Sequence, residues 1–262
     1  MSEIVCVLGC GPAGLFAAHA VKMAGGEPVI MSKKQKSVIA GAQYLQQPIP
    51  GITNRSPDGL IHTYLRGTKE GYASQVYGDP SIGTSWPDFK SEPTSAWDLR
   101  VAYDVAWNMY SDTVVDIELQ SEDIPDLTAN FATVISTIPA YAICSNESHH
   151  FDKMLIAVWK HSIAPDESDV SNYVVYNGEQ PQPRSLNWYR CARIFGVEST
   201  EAVIELGSLP KDWVRGWKIL GNNCDCHPNL IRTGRLGAWR RGVLTHHAFE
   251  HATAAYMERM AL

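Results

Sequence analysis

A glycine-rich turn joins an apolar run to an alanine-rich stretch near the start of the chain. Ile4–Leu8 is short and continuously apolar, as a parallel strand buried on both faces requires. The sequence GCGPAG follows at residues 9–14. Leu15 to Met23 then has helical spacing and ends at a pair of glycines, after which Glu27 to Met31 forms a second apolar run. This order predicts a βαβ unit of about thirty residues.

The glycines have the spacing of a phosphate-binding turn. Gly9 permits a tight turn, Gly11 lets a pyrophosphate approach the backbone, and Gly14 lets the helix pack closely on the strand. Pro12 and Ala13 begin the helix, whose free N–H groups and positive dipole end favour phosphate. In this context the five residues predict a dinucleotide site. A purely structural turn is the alternative.

The position that usually holds the ribose hydroxyls carries no acid. The second strand of such a unit normally ends in Asp or Glu, whereas this chain has Ser32 followed by Lys33, Lys34 and Lys36. Ser32 can still hydrogen-bond a ribose hydroxyl. The lysines either neutralise a 2′-phosphate, which would indicate NADP, or form a solvated loop. This end of the chain therefore leaves the choice of dinucleotide open.

A second glycine-containing turn lies near the end of the chain. Leu230 to Arg232 predicts a strand, the sequence TGRLGAW follows at 233–239, and Val243 to about Met260 predicts one helix. Together with the first turn, this pattern resembles the FAD-dependent amine oxidase-like flavoproteins, and within them the UDP-galactopyranose mutase and protoporphyrinogen oxidase branch. The resemblance implies that the first turn binds the ADP part of FAD. It places four residues near the ribityl chain and the flavin: Gly234, Arg235, Gly237 and Trp239.

Two shorter segments carry the same resemblance. Thr133–Ala140 is an apolar run that ends in Thr-x-Pro, and it is similar to the strand with which the family re-enters its nucleotide-binding sheet. The resemblance therefore implies that Thr137 contacts the cofactor. A segment similar to the one that runs along the flavin contributes Gly41, Ala42 and Gln43.

The implied fold is α/β, with a Rossmann-like FAD-binding domain and a small inserted α+β substrate layer. Residues 1–55, 125–145 and 228–262 would form the discontinuous FAD-binding domain, and 56–124 and 146–227 the inserted substrate or cap region. In the first insert, helical spacing predicts a helix from Asp98 to Tyr110 with Ser95 as its N-terminal cap. In the second, alternation and turn residues predict three strands. They are Tyr173 to Tyr176, Leu186 to Phe195 and Ala202 to Leu206.

Three residues are candidates for catalysis. Arg190 and Arg193 lie on opposite faces of a predicted strand, and in the resembled family such a sheet covers the flavin and carries substrate contacts, which makes Arg190 a candidate. His246 follows the second turn and could shuttle a proton, since its ordinary pKa is near neutrality. The N-terminus of the last helix, with Arg235 as a supporting cation, would stabilise negative charge on a reduced flavin. Packing or solvation is the alternative for both Arg190 and His246.

The resemblance implies an FAD-dependent oxidoreductase. It would oxidise a C–N bond of an amine or amino-acid type substrate, with hydride transfer to flavin N5 and reoxidation by dioxygen. Four alternatives stay open: a non-redox mutase that uses reduced flavin, an enzyme that modifies a nucleotide or a hypermodified DNA base, an NADP-binding protein, and a cofactor-binding protein without chemistry. The formal net charge of −6 weighs against a nucleic-acid backbone as partner. A small-molecule substrate is therefore expected.

Cysteine usage indicates neither disulfides nor a metal. The 6 cysteines are too sparse for a disulfide framework and are expected to be reduced thiols. The sequence CDCH at 224–227 offers soft ligands, and His149-His150 and His246-His247 add imidazoles, but structural zinc normally uses paired CxxC or HxxxH elements. We therefore expect no metal. No apolar stretch approaches the roughly 20 residues that span a bilayer, and a cytoplasmic location is expected.

Overall fold

The computed structural model describes residues 3–82, 92–160, 170–179, 187–204 and 212–261. Within these ranges, five parallel strands form the first sheet. In spatial order they are β13 (Leu230–Arg232), β7 (Thr133–Ser136), β1 (Ile4–Leu8), β2 (Glu27–Ser32) and β6 (Val114–Asp116). The central strand, β1, has residues 5–8 fully buried, because helices or loops cover both faces of a parallel sheet. The continuous apolar run at the start of the sequence is thus explained, and the α/β fold is confirmed.

Three long helices cover the first sheet. They are α1 (Pro12–Met23), α3 (Leu99–Tyr110) and α6 (His247–Met260). Small side chains such as Ala17 and Ala252 are fully buried between these helices and allow a close approach. The Nδ1 atom of His19 and the hydroxyl oxygen of Tyr110 lie 2.8 Å apart, so α1 and α3 are also joined by a buried hydrogen bond. This core fixes the position at which α1 begins.

The second sheet is larger and mostly antiparallel. In the described part of the chain it has eight strands, with β4 and β9 as a parallel pair. In spatial order they are β12 (Val214–Asn222), β8 (Phe151–Trp159), β11 (Val197–Val203), β10 (Trp188–Ile194), β9 (Tyr173–Gly178), β4 (Gly59–Gly67), β5 (Thr94–Asp98) and β3 (Tyr44–Leu45). Shorter helices are α2 (Lys69–Tyr77), α4 (Ile124–Asn130) and α5 (Gly234–Ala238), with 3-10 turns at Ser111–Thr113, Ser121–Asp123 and Ala140–Ile143.

The predicted helix in the first insert is confirmed as α3, but its predicted cap is wrong. Ser95 lies inside strand β5. The helix is capped by Asp98, whose carboxylate accepts hydrogen bonds from the backbone N–H groups of Arg100 at 2.8 Å and Val101 at 3.4 Å. An aspartate at this position satisfies two of the N–H groups that a helix start leaves without partners.

The helix predicted from Val243 to about Met260 exists as α6 and begins four residues later, and the glycine-containing turn before it holds the short helix α5. Helix α5 ends at Ala238, and α6 begins only at His247. Trp239 and Gly242 adopt left-handed backbone angles, with φ of 46° and 78°, which a continuous right-handed helix does not allow. The backbone N–H of Leu244 donates to Nδ1 of His247 at 3.0 Å and so supports the irregular connection.

The predicted strands of the second insert exist with shifted bounds. The predicted strand Tyr173 to Tyr176 extends to Gly178 as β9, and the predicted strand 186–195 is β10. Strand β11 replaces the predicted strand 202–206 and ends at Val203. Residues 186, 205 and 206 lie outside the described residues.

Three elements lie with a different sheet from the one that the predicted domain bounds imply. Strand β6 and helix α3 fall in the range 56–124, predicted for the substrate region, yet they lie with the first sheet. Strand β3 falls in the range 1–55 and pairs in the second sheet. The division into two domains stays a prediction. Among the described residues, no helix combines the length and the apolar character that a membrane crossing requires.

Candidate functional site

A cavity of about 740 Å³ lies between the glycine turn of the first sheet and one face of the second. Ile156, Val158 and Trp217 form part of its wall on the second sheet. Its volume lies in the range of pockets that enclose a small organic ligand. Nine of the predicted site residues line it: Gly9, Gly11, Pro12, Ala13, Ser32, Lys33, Gln43, Thr137 and Arg235. Residues distant in sequence thus meet around one space.

The glycine turn forms one end of this cavity. Gly9 has a φ of 104°, which strongly favours glycine. A Cβ atom on Gly14 would lie 1.9 Å from the carbonyl oxygen of Gly9, so only glycine lets α1 pack this closely. Gly11 caps α1 with extended backbone and without a side-chain hydrogen bond. The N-terminus of α1 therefore borders the cavity through Pro12 and Ala13, and N–H groups at a helix start are suitable donors to an anion.

Thr137 holds the loop beside the glycine turn. Its backbone N–H and its hydroxyl both donate to the carbonyl oxygen of Leu8, each at 2.9 Å. These two bonds fix the end of β7 against the end of β1, next to Gly9. Thr137 lines the cavity because these bonds hold it where the two strands end.

An acid that the sequence did not reveal lines the cavity near Ser32. Glu118 follows β6, which pairs with β2, so a different strand supplies the carboxylate missing after Met31. Ser32 Oγ donates to the carbonyl oxygen of Lys33 at 3.3 Å. The sequence does not reveal the position of Glu118, because only the pairing of β2 with β6 brings it here.

The lysines after β2 differ in their surroundings. Lys34 Nζ lies 3.8 Å from Asp112, and Lys36 Nζ lies 2.8 Å from Asp104. Lys33 and Lys36 line the cavity. Two of the three lysines are therefore paired with carboxylates.

A buried ion pair supports the opposite end of the cavity. Oε1 of Glu201 accepts a hydrogen bond from Arg190 Nη1 at 2.6 Å, and Oε2 accepts one from the Tyr189 hydroxyl at 2.6 Å. Gln43 Nε2 donates to Oε1 at 3.4 Å. Burial raises the pKa of Glu201, but Arg190 and Lys218 more than offset this effect, so the pKa lies below its ordinary value. A carboxylate that is ionised at neutral pH therefore borders the cavity.

Arg190, a predicted catalytic residue, acts behind this wall. Glu201 lines the cavity, whereas Arg190 is not among the described residues that do. Arg190 Nη2 donates to the carbonyl oxygen of Ala42 at 2.8 Å. The predicted opposite faces are confirmed, since Arg193 is exposed. Arg190 is therefore placed to position Glu201 and the segment at Ala42, and its predicted contact with substrate stays a prediction.

Arg235 occupies the edge of the cavity next to Trp217. Its Nη2 atom donates to the carbonyl oxygen of Trp217 at 2.9 Å, and both residues line the cavity. This bond joins helix α5 to strand β12 and holds a guanidinium at the place where the two layers meet. The predicted position of Arg235 at the site agrees with this geometry.

Several residues predicted to contact the cofactor lie near the cavity but do not line it in the described part of the chain. Among the described residues, the cavity lining excludes Gly14, Gly41, Ala42, Gly234, Gly237 and Trp239. A Cβ atom on Gly234 would lie 2.6 Å from Cβ of Ala13, and one on Gly237 would lie 2.5 Å from the Ser136 carbonyl oxygen. These glycines therefore allow the C-terminal turn to pack against α1 and β7.

The remaining three of these residues are also packing positions. The N–H of Ala42 donates to Ser199 Oγ at 2.8 Å, and a Cβ atom on Gly41 would lie 3.1 Å from the same oxygen. Trp239 is fully buried in an aromatic cluster with Trp217. None of these three residues lines the cavity among the described residues, and their contact with a cofactor stays a prediction.

His246 is buried rather than presented to the cavity. Its side chain is 3% exposed, and Thr245 is the neighbour that lines the cavity. Burial, with a smaller effect of His247, lowers the pKa of His246 to about 4. The imidazole is therefore neutral at physiological pH, and its predicted role as a proton shuttle stays a prediction.

Comparison with known proteins identifies the fold. No protein-family model and no curated protein matches this sequence. CtdE, solved with FAD and a substrate, matches all of this chain and 82% of its own, with a TM-score of 0.52 at 12% identity. The solved 2-methyl-3-hydroxypyridine-5-carboxylic acid oxygenase matches 100% of this chain and 87% of its own, with a TM-score of 0.52 at 13% identity. The chain has the fold of these solved structures.

A third solved structure is also similar to this chain. The peptidyl tryptophan dihydroxylase QhpG has a TM-score of 0.51 at 11% identity, over 98% of this chain and 66% of its own. The solved structures similar to this chain thus include an oxygenase and a hydroxylase. The predicted resemblance to a flavoprotein is confirmed for the fold, while its assignment to the amine oxidase and mutase branch is not what these structures indicate.

Proposed function

We propose that this chain is an FAD-dependent oxidoreductase with a small-molecule substrate. The observation that carries this proposal is one continuous cavity, which extends from the N-terminus of α1 to Glu201 and Trp217 on the second sheet. A dinucleotide needs the first end for its phosphates. The second end leaves room for a ring system and a substrate beneath the second sheet.

The residues present fit the ADP part of FAD. The glycine turn has no Cβ atoms at positions 9, 11 and 14, and the open N–H groups of α1 would receive the pyrophosphate. Ser32 and Glu118 supply a hydroxyl and a carboxylate for ribose hydroxyls. Lys34 and Lys36 are paired with acids. NADP, whose 2′-phosphate would need their charges, is therefore less favoured than FAD.

A bound flavin would supply two-electron redox chemistry. The chain would orient the substrate between the two sheets, and the apolar side chains of Ile156 and Val158 would exclude water from that space. Arg235 would place a positive charge where the layers meet and stabilise an anion there. Glu201, held ionised by Arg190, would accept a hydrogen bond from the substrate.

Oxygenation is the reaction class that the comparisons favour. The oxygenase and the dihydroxylase among the similar structures support insertion of one oxygen atom into a C–H bond of the substrate. One atom of O₂ would enter the product and the other would leave as water, so an external two-electron donor such as NADH or NADPH is required.

Oxidation of a C–N bond is the second candidate. The observation that favours it is the ionised carboxylate of Glu201 at the cavity wall, since an anion would attract a protonated amine. In this reaction the substrate itself supplies both electrons, and O₂ accepts them as hydrogen peroxide.

The test begins with the absorption spectrum of the purified protein. We expect a yellow protein with one FAD per chain. A colourless protein that takes up no flavin on incubation with FAD would contradict the proposal. Binding of NADPH by that protein would then support the NADP alternative.

Anaerobic reduction separates the two reaction classes. For an oxygenase, NADH or NADPH bleaches the flavin, and oxygen consumption in air then requires a hydroxylatable substrate. For an amine oxidase, an amine or amino acid alone bleaches the flavin. Failure of every amine in a broad panel would exclude the second candidate.

Arg235 provides a test of the site within the protein. We expect Arg235→Leu to lower the flavin reduction potential, because it removes a cation that stabilises the reduced anionic flavin. Arg240→Leu is the matched control, since Arg240 is exposed and does not line the cavity in the described part of the chain. Equal flavin reduction potentials in the two variants would contradict a role of Arg235 near the flavin.

A further inference from the structure

Four side chains from two distant segments converge outside the cavity. Cys144 and His149 precede strand β8, and Cys224 and Cys226 follow strand β12. Their three Sγ atoms and one imidazole nitrogen all lie within 4.8 Å of one another. The sequence alone offers Cys224, Cys226 and His149 as possible ligands but does not point to Cys144, because about 80 residues separate Cys144 from the other two cysteines.

The distances between these atoms match a tetrahedral metal site. Cys144 Sγ lies 3.6 Å from Cys226 Sγ, 3.4 Å from Cys224 Sγ and 3.4 Å from His149 Nδ1. Cys226 Sγ lies 3.3 Å from the same nitrogen. Four ligands at a Zn–S distance of 2.3 Å are separated from one another by about 3.8 Å. The four donors therefore surround a space of the size that a zinc ion fills.

The surrounding groups support bound ligands at this position. Arg232 donates to Cys224 through both Nη atoms, to the carbonyl oxygen and to Sγ, each at 3.2 Å. Its positive charge would compensate a cluster of thiolates. His149 Nε2 lies 3.4 Å from Oδ1 of Asp225 and 3.2 Å from Nδ2 of Asn146. A carboxylate on the far nitrogen of a ligating histidine is the usual outer partner in zinc sites.

The place of the cluster in the fold indicates a structural role. One pair lies in the connection from β7 of the first sheet to β8 of the second, and the other pair lies in the connection from β12 back to β13. An ion held by both pairs would fasten these two crossings together. Among the described residues, none of the four ligands lines the cavity, which separates this cluster from the proposed redox chemistry.

We propose that Cys144, His149, Cys224 and Cys226 bind one zinc ion that clamps the two layers of this protein together. Three thiolates and one imidazole are a typical ligand set of closed, four-coordinate structural zinc. Soft sulfur ligands in a tetrahedral arrangement select zinc over magnesium or calcium. The proposal does not depend on the flavin or on any activity.

The first test measures metal in the full-length protein, purified without added metal or chelator. We expect one zinc per chain by elemental analysis, released when the thiols are titrated with a mercurial. We expect Cys224→Ser and Cys226→Ser to lose the zinc. His149→Ala should lose it too, whereas His150→Ala, which changes an exposed neighbour of the same type, should keep it.

A second measurement does not require any variant to fold. Reduced wild-type protein, stripped of metal, is titrated with Co²⁺, and we expect the intense visible bands of tetrahedral cobalt at wavelengths beyond the flavin absorption, abolished by one equivalent of zinc. Asp225→Asn should keep these bands while weakening zinc affinity about 10- to 100-fold, as expected for an outer partner.

Three results would overturn the proposal. The first is wild-type protein that contains no zinc and takes up neither zinc nor tetrahedral cobalt when reduced. The second is a full equivalent of zinc in the Cys224→Ser and Cys226→Ser variants. The third is a Cys144–Cys224 disulfide in freshly purified protein, detected by mass spectrometry after thiol alkylation.

Discussion

Arg190 donates to Oε1 of Glu201 at 2.6 Å, and the two side chains are 8% and 7% exposed. We expect Arg190→Met to lower the free energy of unfolding by about 3–5 kcal/mol, because it leaves a buried carboxylate without its partner. Adding Glu201→Gln to this variant should restore part of the loss. Chemical denaturation measures both effects.

The neighbouring ion pair on the same two strands is a matched control. Arg193 Nε and Glu198 Oε1 lie 3.8 Å apart and are largely exposed, so Arg193→Met should change the free energy of unfolding by no more than about 1 kcal/mol. Equal effects of Arg190→Met and Arg193→Met would contradict the importance of the buried pair.

A second prediction concerns the glycine turn. In Gly14→Ala the new methyl group would lie 1.9 Å from the carbonyl oxygen of Gly9, so α1 must shift away from the turn. We expect a loss of about 1–3 kcal/mol in the free energy of unfolding together with loss of bound flavin. Gly221→Ala is the control, because no atom lies within 4 Å of its added Cβ. Retention of full flavin occupancy in Gly14→Ala would disprove the proposed phosphate site.

A third prediction concerns the acid that borders the cavity near Ser32. We expect Glu118→Gln to weaken FAD binding about tenfold, because a charge-assisted hydrogen bond to a ribose hydroxyl contributes roughly 1.5–3 kcal/mol. Flavin release monitored by fluorescence measures the affinity. Glu122→Gln changes another acid downstream of β6, which does not line the cavity in the described part of the chain, and should leave the affinity unchanged.

The lysine at the end of β2 decides between the two dinucleotides. Lys33 lines the cavity, whereas Lys34 pairs with Asp112. For a chain that binds FAD, we expect Lys33→Gln and Lys34→Gln to retain similar flavin affinity, since FAD has no 2′-phosphate. A selective loss of NADPH binding in Lys33→Gln would instead support NADP. Isothermal titration with each nucleotide separates these outcomes.

A fifth prediction follows from the buried histidine. The pKa of His246 is about 4 in the folded protein and near 6.5 in an unfolded chain. Between these values the unfolded state binds a proton that the folded state excludes, so acidification destabilises the fold. Between pH 7 and pH 5 this effect amounts to roughly 2 kcal/mol. His246→Gln should reduce this slope, as measured by denaturation at several pH values, and an unchanged slope would contradict it.

Much of the first sheet can be predicted from short, contiguous stretches of the sequence. The apolar run, the glycine turn and the helical spacing predict β1, α1 and β2 with small errors at their ends, because chain neighbours make these elements. Strand β10 also follows locally, whereas β11 overlaps the strand predicted at 202–206 only at residues 202 and 203. Phe195 and Gly196 both have positive φ, 48° and 75°, and this two-residue turn sets a register that places Arg190 opposite Glu201.

Other features depend on pairings between segments that are distant along the chain. Glu118 reaches the cavity only because β6 lies beside β2, and Gly234 and Gly237 serve close packing against α1 and β7, which a motif alone does not distinguish from cofactor contact. The sequence by itself determined the unit of β1, glycine turn, α1 and β2, since strand, turn and helix are contiguous. Only the tertiary structure brought Cys144 and His149 to Cys224 and Cys226, because a metal site depends on distances in space and not on spacing along the chain.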